Sequence, residues 1–237
     1  KMSFKRHGVW VFLVVFLGAG CAAPDSSPQV PSEESDSPSS AQIASIAQSE
    51  YAISESADAL HAPNRSQGFR LLWSDGATTY KPRSHSPAEP IVLQLSAFGR
   101  DGSLESTPAV PARTGACRAD GAQDVRGGCL RRAEFDRPGI LEWWENRPDG
   151  AEQGFELSEP PSGEGLVVLR MELAGADLEL ESDGLAADFV GESLTVHYDH
   201  LVVEDSDGNS VPAWMRAAPG GLDLVLDDRG ARWPLHV

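Results

Sequence analysis

Beyond about residue 50 the sequence predicts an all-β fold, an antiparallel sandwich-like arrangement of short strands, on three observations. Apolar and β-branched runs recur at roughly ten-residue spacing, as in IVLQLSAF (91–98), LVVLRMEL (166–173) and LDLVL (222–226). Turn chemistry separates them: FGRDGS, SDG, DSDGN, PGG and DDRG. One short segment before residue 50 has helical apolar spacing, and none follows it.

The N-terminal stretch KMSFKRHGVWVFLVVFLGAGC reads as a secretion signal over residues 1–21. Lys1, Lys5 and Arg6 precede a twelve-residue apolar run, Val9 to Gly20, that ends in small residues and Cys21. A run of that length does not span a hydrocarbon core of roughly 30 Å at about 1.5 Å per residue. Leu17-Gly-Ala-Gly-Cys21 resembles a bacterial lipoprotein lipobox, which implies that Cys21 is lipidated and becomes the mature N-terminus. The departure is Gly18, where leucine is usual three places before the cysteine. Cleavage by an ordinary signal peptidase, leaving Cys21 unmodified, is the alternative. Ala22 follows the cysteine, and by resemblance to lipoprotein sorting rules the lack of Asp there implies the outer membrane of a Gram-negative bacterium.

Residues 22–40 are Ser, Pro, Asp and Glu with almost nothing apolar. Such a segment cannot offset its ordering entropy by burial, so a disordered tether is expected. In SSAQIASIAQSEYAI, Ile43, Ile46 and Ala47 fall at helical spacing with Ser39 or Ser40 as cap, predicting a short helix. Residues 41–160 then form a first β region that includes this helix, and 161–237 a second, either separate from the first or continuous with it.

Cys117 and Cys129 enclose a polar, glycine-rich loop. An exported chain meets oxidising conditions, so a disulfide is expected, and closing the loop contributes about 2–3 kcal/mol. Metal binding needs two further ligands, and no histidine lies within the loop. Buried free thiols are the remaining alternative.

Residues 142–155 read EWWENRPDGAEQGF. A helix would bring Glu142 and Glu145 together as an acid/base pair. The stretch instead runs from a Pro-Gly turn to a Pro-Asp-Gly turn and is rich in Ile, Leu and Trp, which predicts a strand. Leu141, Trp143 and Glu145 then share one face, and Glu142 and Trp144 the other, so the carboxylates diverge. Packing is the expected role of both tryptophans. A sugar-stacking platform of Trp144 with Glu142 and Arg147 is the alternative.

In LVVLRMEL, Val167, Leu169, Met171 and Leu173 alternate with Arg170 and Glu172. HYDH (197–200) invites a metal reading, but in a strand His197 and Asp199 face away from Tyr198 and His200. EDSDGNS (204–210) places Asp205, Asp207 and Asn209 at alternate positions, like the opening of a calcium loop. The twelfth position of such a loop would be Arg216, a cation, and Asp-Gly is also a preferred hairpin turn. A plain hairpin is expected, with calcium as the alternative, and otherwise no cofactor and no metal. ARWPLHV predicts a final strand with Trp233, Leu235 and Val237 on one face, and Pro234 at an edge or with its nitrogen turned off the ladder.

The formal charge is −17 overall. Beyond Cys21 there are 16 basic against 36 acidic residues, or −20. Such a surface repels phosphate backbones and disfavours nucleic acid.

LHAPNRSQGFR (60–70), EWWENRPDGAEQGFELSEPPSGEG (142–165), LVVEDSDGNSVPA (201–213) and LDDRGARWPLHV (226–237) together resemble an N-terminal module of large exported bacterial proteins. In that family the module precedes β-propeller or integrin-like FG-GAP repeats. Its versions read close to W-Y-E-N-R-P-D-G-L-E-Q-G-F and end near G-A-x-Y-P-L-x-V-D-P. The resemblance covers about residues 50–237. It implies an all-β, non-catalytic surface module with no catalytic residues to carry over. The departure is the repeat region, which does not follow Val237, so the expectation is a fragment, a truncated product or a free-standing variant.

Two functions are therefore expected. The first is a non-enzymatic, lipid-anchored envelope module, a stalk or adaptor with a membrane anchor and an envelope-protein or glycan partner. The second is a carbohydrate-binding or hydrolytic surface protein using Trp143 or Trp144 with Glu142 or Glu145.

Overall fold

Alternation of side chains governs the architecture. The computed structural model describes residues 50–56, 59–83, 88–116 and 128–237, and these fall within one compact unit, Pro38–Val237. The expected signal peptide with Cys21, the tether, the short helix and Cys117 lie outside the described residues.

The described chain is all-β, with strands in the order β1 (Ser54–Ser56), β2 (Ala59–Asn64), β3 (Phe69–Ser74), β4 (Ala77–Pro82), β5 (Ile91–Arg100), β6 (Ser103–Ser106), β7 (Arg113–Ala116), β8 (Gly128–Arg137), β9 (Ile140–Arg147), β10 (Gly150–Leu157), β11 (Val167–Ala174), β12 (Ala176–Leu180), β13 (Ala187–Gly191), β14 (Thr195–Tyr198), β15 (Glu204–Asp205), β16 (Ala213–Ala218), β17 (Gly221–Leu226) and β18 (Leu235–His236). All pairings are antiparallel.

The largest sheet runs β1-β2-β3-β4-β5-β11-β17-β16, with β6 on β5. A second runs β15-β18-β10-β9-β8-β7, and a third is β12-β13-β14. Strands from before and after residue 160 thus share both larger sheets, because β11 completes the ladder of β5 and β18 that of β10.

One core joins the three sheets. Leu71, Trp73, Leu93, Leu95, Leu169 and Leu224 come from the first, Phe135, Trp144, Phe155 and Leu157 from the second, and Phe189 from the third. The predicted alternation in β11 holds: Val167, Leu169 and Met171 are buried while Arg170 and Glu172 are not. β17 lies between β11 and β16 and is buried along its whole length. That is why LDLVL is apolar at nearly every position.

The C-terminal segment departs from expectation. The ladder strand is only Leu235–His236, extended by reciprocal backbone hydrogen bonds of 2.9 Å between Val237 and Phe155. It lies inside the second sheet, between β15 and β10. Pro234 precedes it, outside the ladder, where its missing donor costs no hydrogen bond.

Candidate functional site

β9 and β10 form the predicted strand–turn–strand unit over residues 140–157, and their register decides where each candidate residue points. Ile140, Glu142, Trp144 and Asn146 face the core, and Leu141, Trp143, Glu145 and Arg147 face outward. Glu142 and Glu145 therefore lie on opposite faces and do not make a catalytic pair.

Glu142 is 1% exposed. Its carboxylate accepts from Arg137 Nη1 at 2.7 Å, Trp144 Nε1 at 2.9 Å and Gln153 Nε2 at 2.8 Å. Burial pushes its pKa up, against the opposing pull of Arg137, Trp144 and Gln153. Arg137 is itself tied to the backbone oxygens of Gly76 and Pro108. Every strong donor and acceptor is thus satisfied internally, as a buried charge requires.

Trp144 is fully buried and packs edge-on against Tyr80, with ring centroids 6.1 Å apart. The platform alternative is thereby corrected: Trp144 presents no ring face to solvent, because its strand position directs it into the core. Trp143 is 8% exposed. It lies over Gly154, its cross-strand partner, where a Cβ would collide with the indole, and the Arg132 guanidinium sits 4.5 Å from the ring centroid. Arg147 bridges Glu145 and Glu152 at 2.7 and 2.6 Å. Cys129 is buried on β8.

The calcium alternative does not match the side-chain directions. Asp205 Oδ1 accepts the backbone N–H groups of Asp207 and Asn209, and Oδ2 accepts that of Arg232. The Asn209 amide donates to Asp205, and Asp207 pairs with Arg232 at 3.1 Å. These oxygens cap a hairpin. Among the described residues no group of three or more His, Cys, Asp or Glu side chains could hold a metal.

HYDH differs from a continuous strand. β14 ends at Tyr198, and His200 adopts φ 58°. Asp199 consequently sits between the two histidines, at 3.4 Å from His197 Nε2 and 2.8 Å from His200 Nδ1. His197 Nδ1 also meets Asp188 at 2.7 Å, and that hydrogen bond raises the His197 pKa.

These elements border a cleft of about 860 Å³ where the three sheets meet. Phe69, Tyr80, Met215 and Leu224 of the first sheet contribute its floor, Gly150–Gln153 one wall, and the stretch 194–202 the other. Tyr198 donates to Gln153 Oε1 at 2.9 Å and joins the walls at depth. Enclosure comes first in pushing both hydroxyls above the ordinary tyrosine range, followed by the Tyr198 and then the Glu142 charge for Tyr80, and by the Glu142 charge for Tyr198. Sequence reasoning did not single out Tyr80, Gln153 or Tyr198 as lining one cleft. The signal available for Tyr198 was its place two residues after Val196 on the inward face of a strand.

Comparison of the chain with protein-family models, with curated proteins and with solved structures returns no match.

Proposed function

We propose that the chain is a non-catalytic, lipid-anchored cell-envelope β module, a stalk or adaptor of the kind that carries FG-GAP or β-propeller repeats. One observation supports it most: the four stretches that resemble the exported family bind to one another in pairs. Asn64 donates to Asn146 Oδ1 at 2.9 Å and to the Arg147 backbone oxygen at 2.7 Å, joining LHAPNRSQGFR to EWWENRPDGAEQGF. Asn146 in turn donates to the Pro63 and Tyr51 oxygens. Asp205 receives Arg232 N–H, and β15 pairs with β18, joining LVVEDSDGNSVPA to LDDRGARWPLHV. Motifs that hold one another in place are scaffold motifs, and the fully buried Trp144 and ion-paired Glu142 fit that role.

Attachment is to the outer membrane through Cys21, with Cys117 and Cys129 bridged after export. Labelling of intact cells with an alkyne fatty acid is expected to tag the protein, and Cys21→Ser to abolish the tag and release the protein from membranes. A Cys21→Ser protein that stays membrane-bound rejects the anchor. Thiol titration of the denatured, unreduced protein is expected to find neither Cys117 nor Cys129 reactive.

A further inference from the structure

We infer that the half of β10 left unpaired by β18, residues 150–154, receives an extended segment of a partner protein as an added antiparallel strand. The segment carries small apolar residues alternating with lysine or arginine. This deepens the adaptor reading by naming the partner's form, and rests on that reading only in taking the partner to be a protein. Its test needs neither Cys21 nor a membrane, so its failure leaves the anchor standing.

Three observations carry the inference. The first is a gap inside a sheet. β10 is an interior strand, paired with β9 along its whole length. On its other side β18 pairs only with Glu156 and Leu157, and Val237 adds Phe155. Phe155 turns both its N–H and its C=O toward Val237, at 2.9 Å each. Backbone groups alternate in direction along an antiparallel strand, so Gln153 and Ala151 turn theirs the same way. Among the described residues no strand meets them on that side, and no backbone hydrogen bond reaches those groups. A row of free ladder donors and acceptors is a template for strand addition.

The second is the row of side chains that an added strand would continue. Leu235, opposite Leu157, is fully buried, and Val237, opposite Phe155, packs against the core. The next two positions of this row lie opposite Gln153 and Ala151, which line the cleft of about 860 Å³. Tyr198 reaches across at depth to Gln153, so the row admits small apolar side chains. The position between them lies opposite Glu152 and points outward with it.

The third is charge. Asp149, Glu152 and Asp199 line the mouth with Arg147, which is already shared between Glu145 and Glu152. His197 and His200 line it too and add positive charge only when protonated. The formal charge of the whole chain, −17, acts in the same sense. This field favours a basic segment and opposes a second copy of the chain.

Isothermal titration of the purified chain with the capped peptide Lys-Val-Lys-Val-Lys, at low salt and mildly alkaline pH, tests this. Binding is expected, with slowed hydrogen exchange at the Ala151 and Gln153 amides. The Glu152 and Gly154 amides face β9 and should not change. Methylating both valine nitrogens should weaken binding about tenfold. Methylating the central lysine nitrogen, which points away from β10, should not. Glu-Val-Glu-Val-Glu should not bind. Ala151→Pro removes a donor from the open side and leaves the β9 ladder its bonds, so it should abolish binding at an unchanged melting midpoint. The methylated peptides decide the same point on the unaltered chain. No binding at millimolar concentration, equal binding of the valine-methylated or the acidic peptide, or binding without protection of Ala151 and Gln153 each overturns the inference. So does a dimer of the chain in which those two amides are already protected.

Discussion

Asp223 lies in the middle of a strand that is otherwise apolar, and its carboxylate is held from both neighbouring strands. Arg170 on β11 donates through Nε at 2.8 Å and Arg216 on β16 through Nη2 at 2.9 Å, both directly across the ladder. Burial pushes the Asp223 pKa up, but the two guanidinium groups more than offset it and the net direction is down. A carboxyl with a lowered folded pKa contributes stability above its unfolded value, ~3.9, and loses it as pH falls through the folded value. Asp223→Asn should therefore cost about 2 kcal/mol at neutral pH, and the gap to the parent protein should close as pH drops below ~3.9. Urea midpoints of both proteins at neutral and acid pH measure it; a gap independent of pH would assign the loss to packing. The sequence offered a signal for this clamp, an acid in LDLVL, yet alternation alone does not say that arginines stand on both sides. That knowledge needs the register of three strands, one of them, β11, distant along the chain from the other two.

At the scale of elements, the β9–β10 hairpin was legible because its two turns bracket it and its residues suit a pleated, half-buried surface. Trp144 and Glu142 fell on one face as alternation requires. What alternation could not supply was the partner of Glu142, because Arg137 reaches it from β8 across a hairpin corner. Nor could it supply the seat of Trp143. Gly154 is opposite that residue, and the indole covers the bare backbone there, an aromatic side chain protecting a strand glycine that has none of its own to pack. Gly154→Val adds β-propensity to the strand but places methyl groups where the ring lies. The clash should win, lowering stability by about 1–3 kcal/mol as the ring is displaced. Chemical denaturation followed by tryptophan fluorescence reads both effects, and a variant as stable as the parent would show that Trp143 can leave its seat without cost.

The whole molecule is closed by its last seven described residues. Leu235 is fully buried, and β18 fills the gap between β15 and β10, so its loss leaves two unpaired edges inside a sheet. Trp233 Nε1 donates to Asp228 Oδ2 at 3.3 Å, and Asp228 is gripped by Arg100 through contacts of 2.7 and 3.1 Å. Arg100 belongs to β5, so the segment that completes the second sheet is also tied to the first. Sequence pattern anticipated a strand here but placed Pro234 within it and could not see that a two-residue pairing would be interior. Removing residues 231–237 takes away Leu235, worth about 1.5–3 kcal/mol of burial. The same cut removes the Trp233 contacts and the Arg232 N–H that caps Asp205. Against a total stability on the order of 5–15 kcal/mol, the combined loss should unfold the domain or drop its melting midpoint sharply. A melting curve for the truncated chain decides it: an unchanged midpoint would mean that β15 and β10 hold without the strand between them. The core shared by the sheets would then have to be stable without that closure.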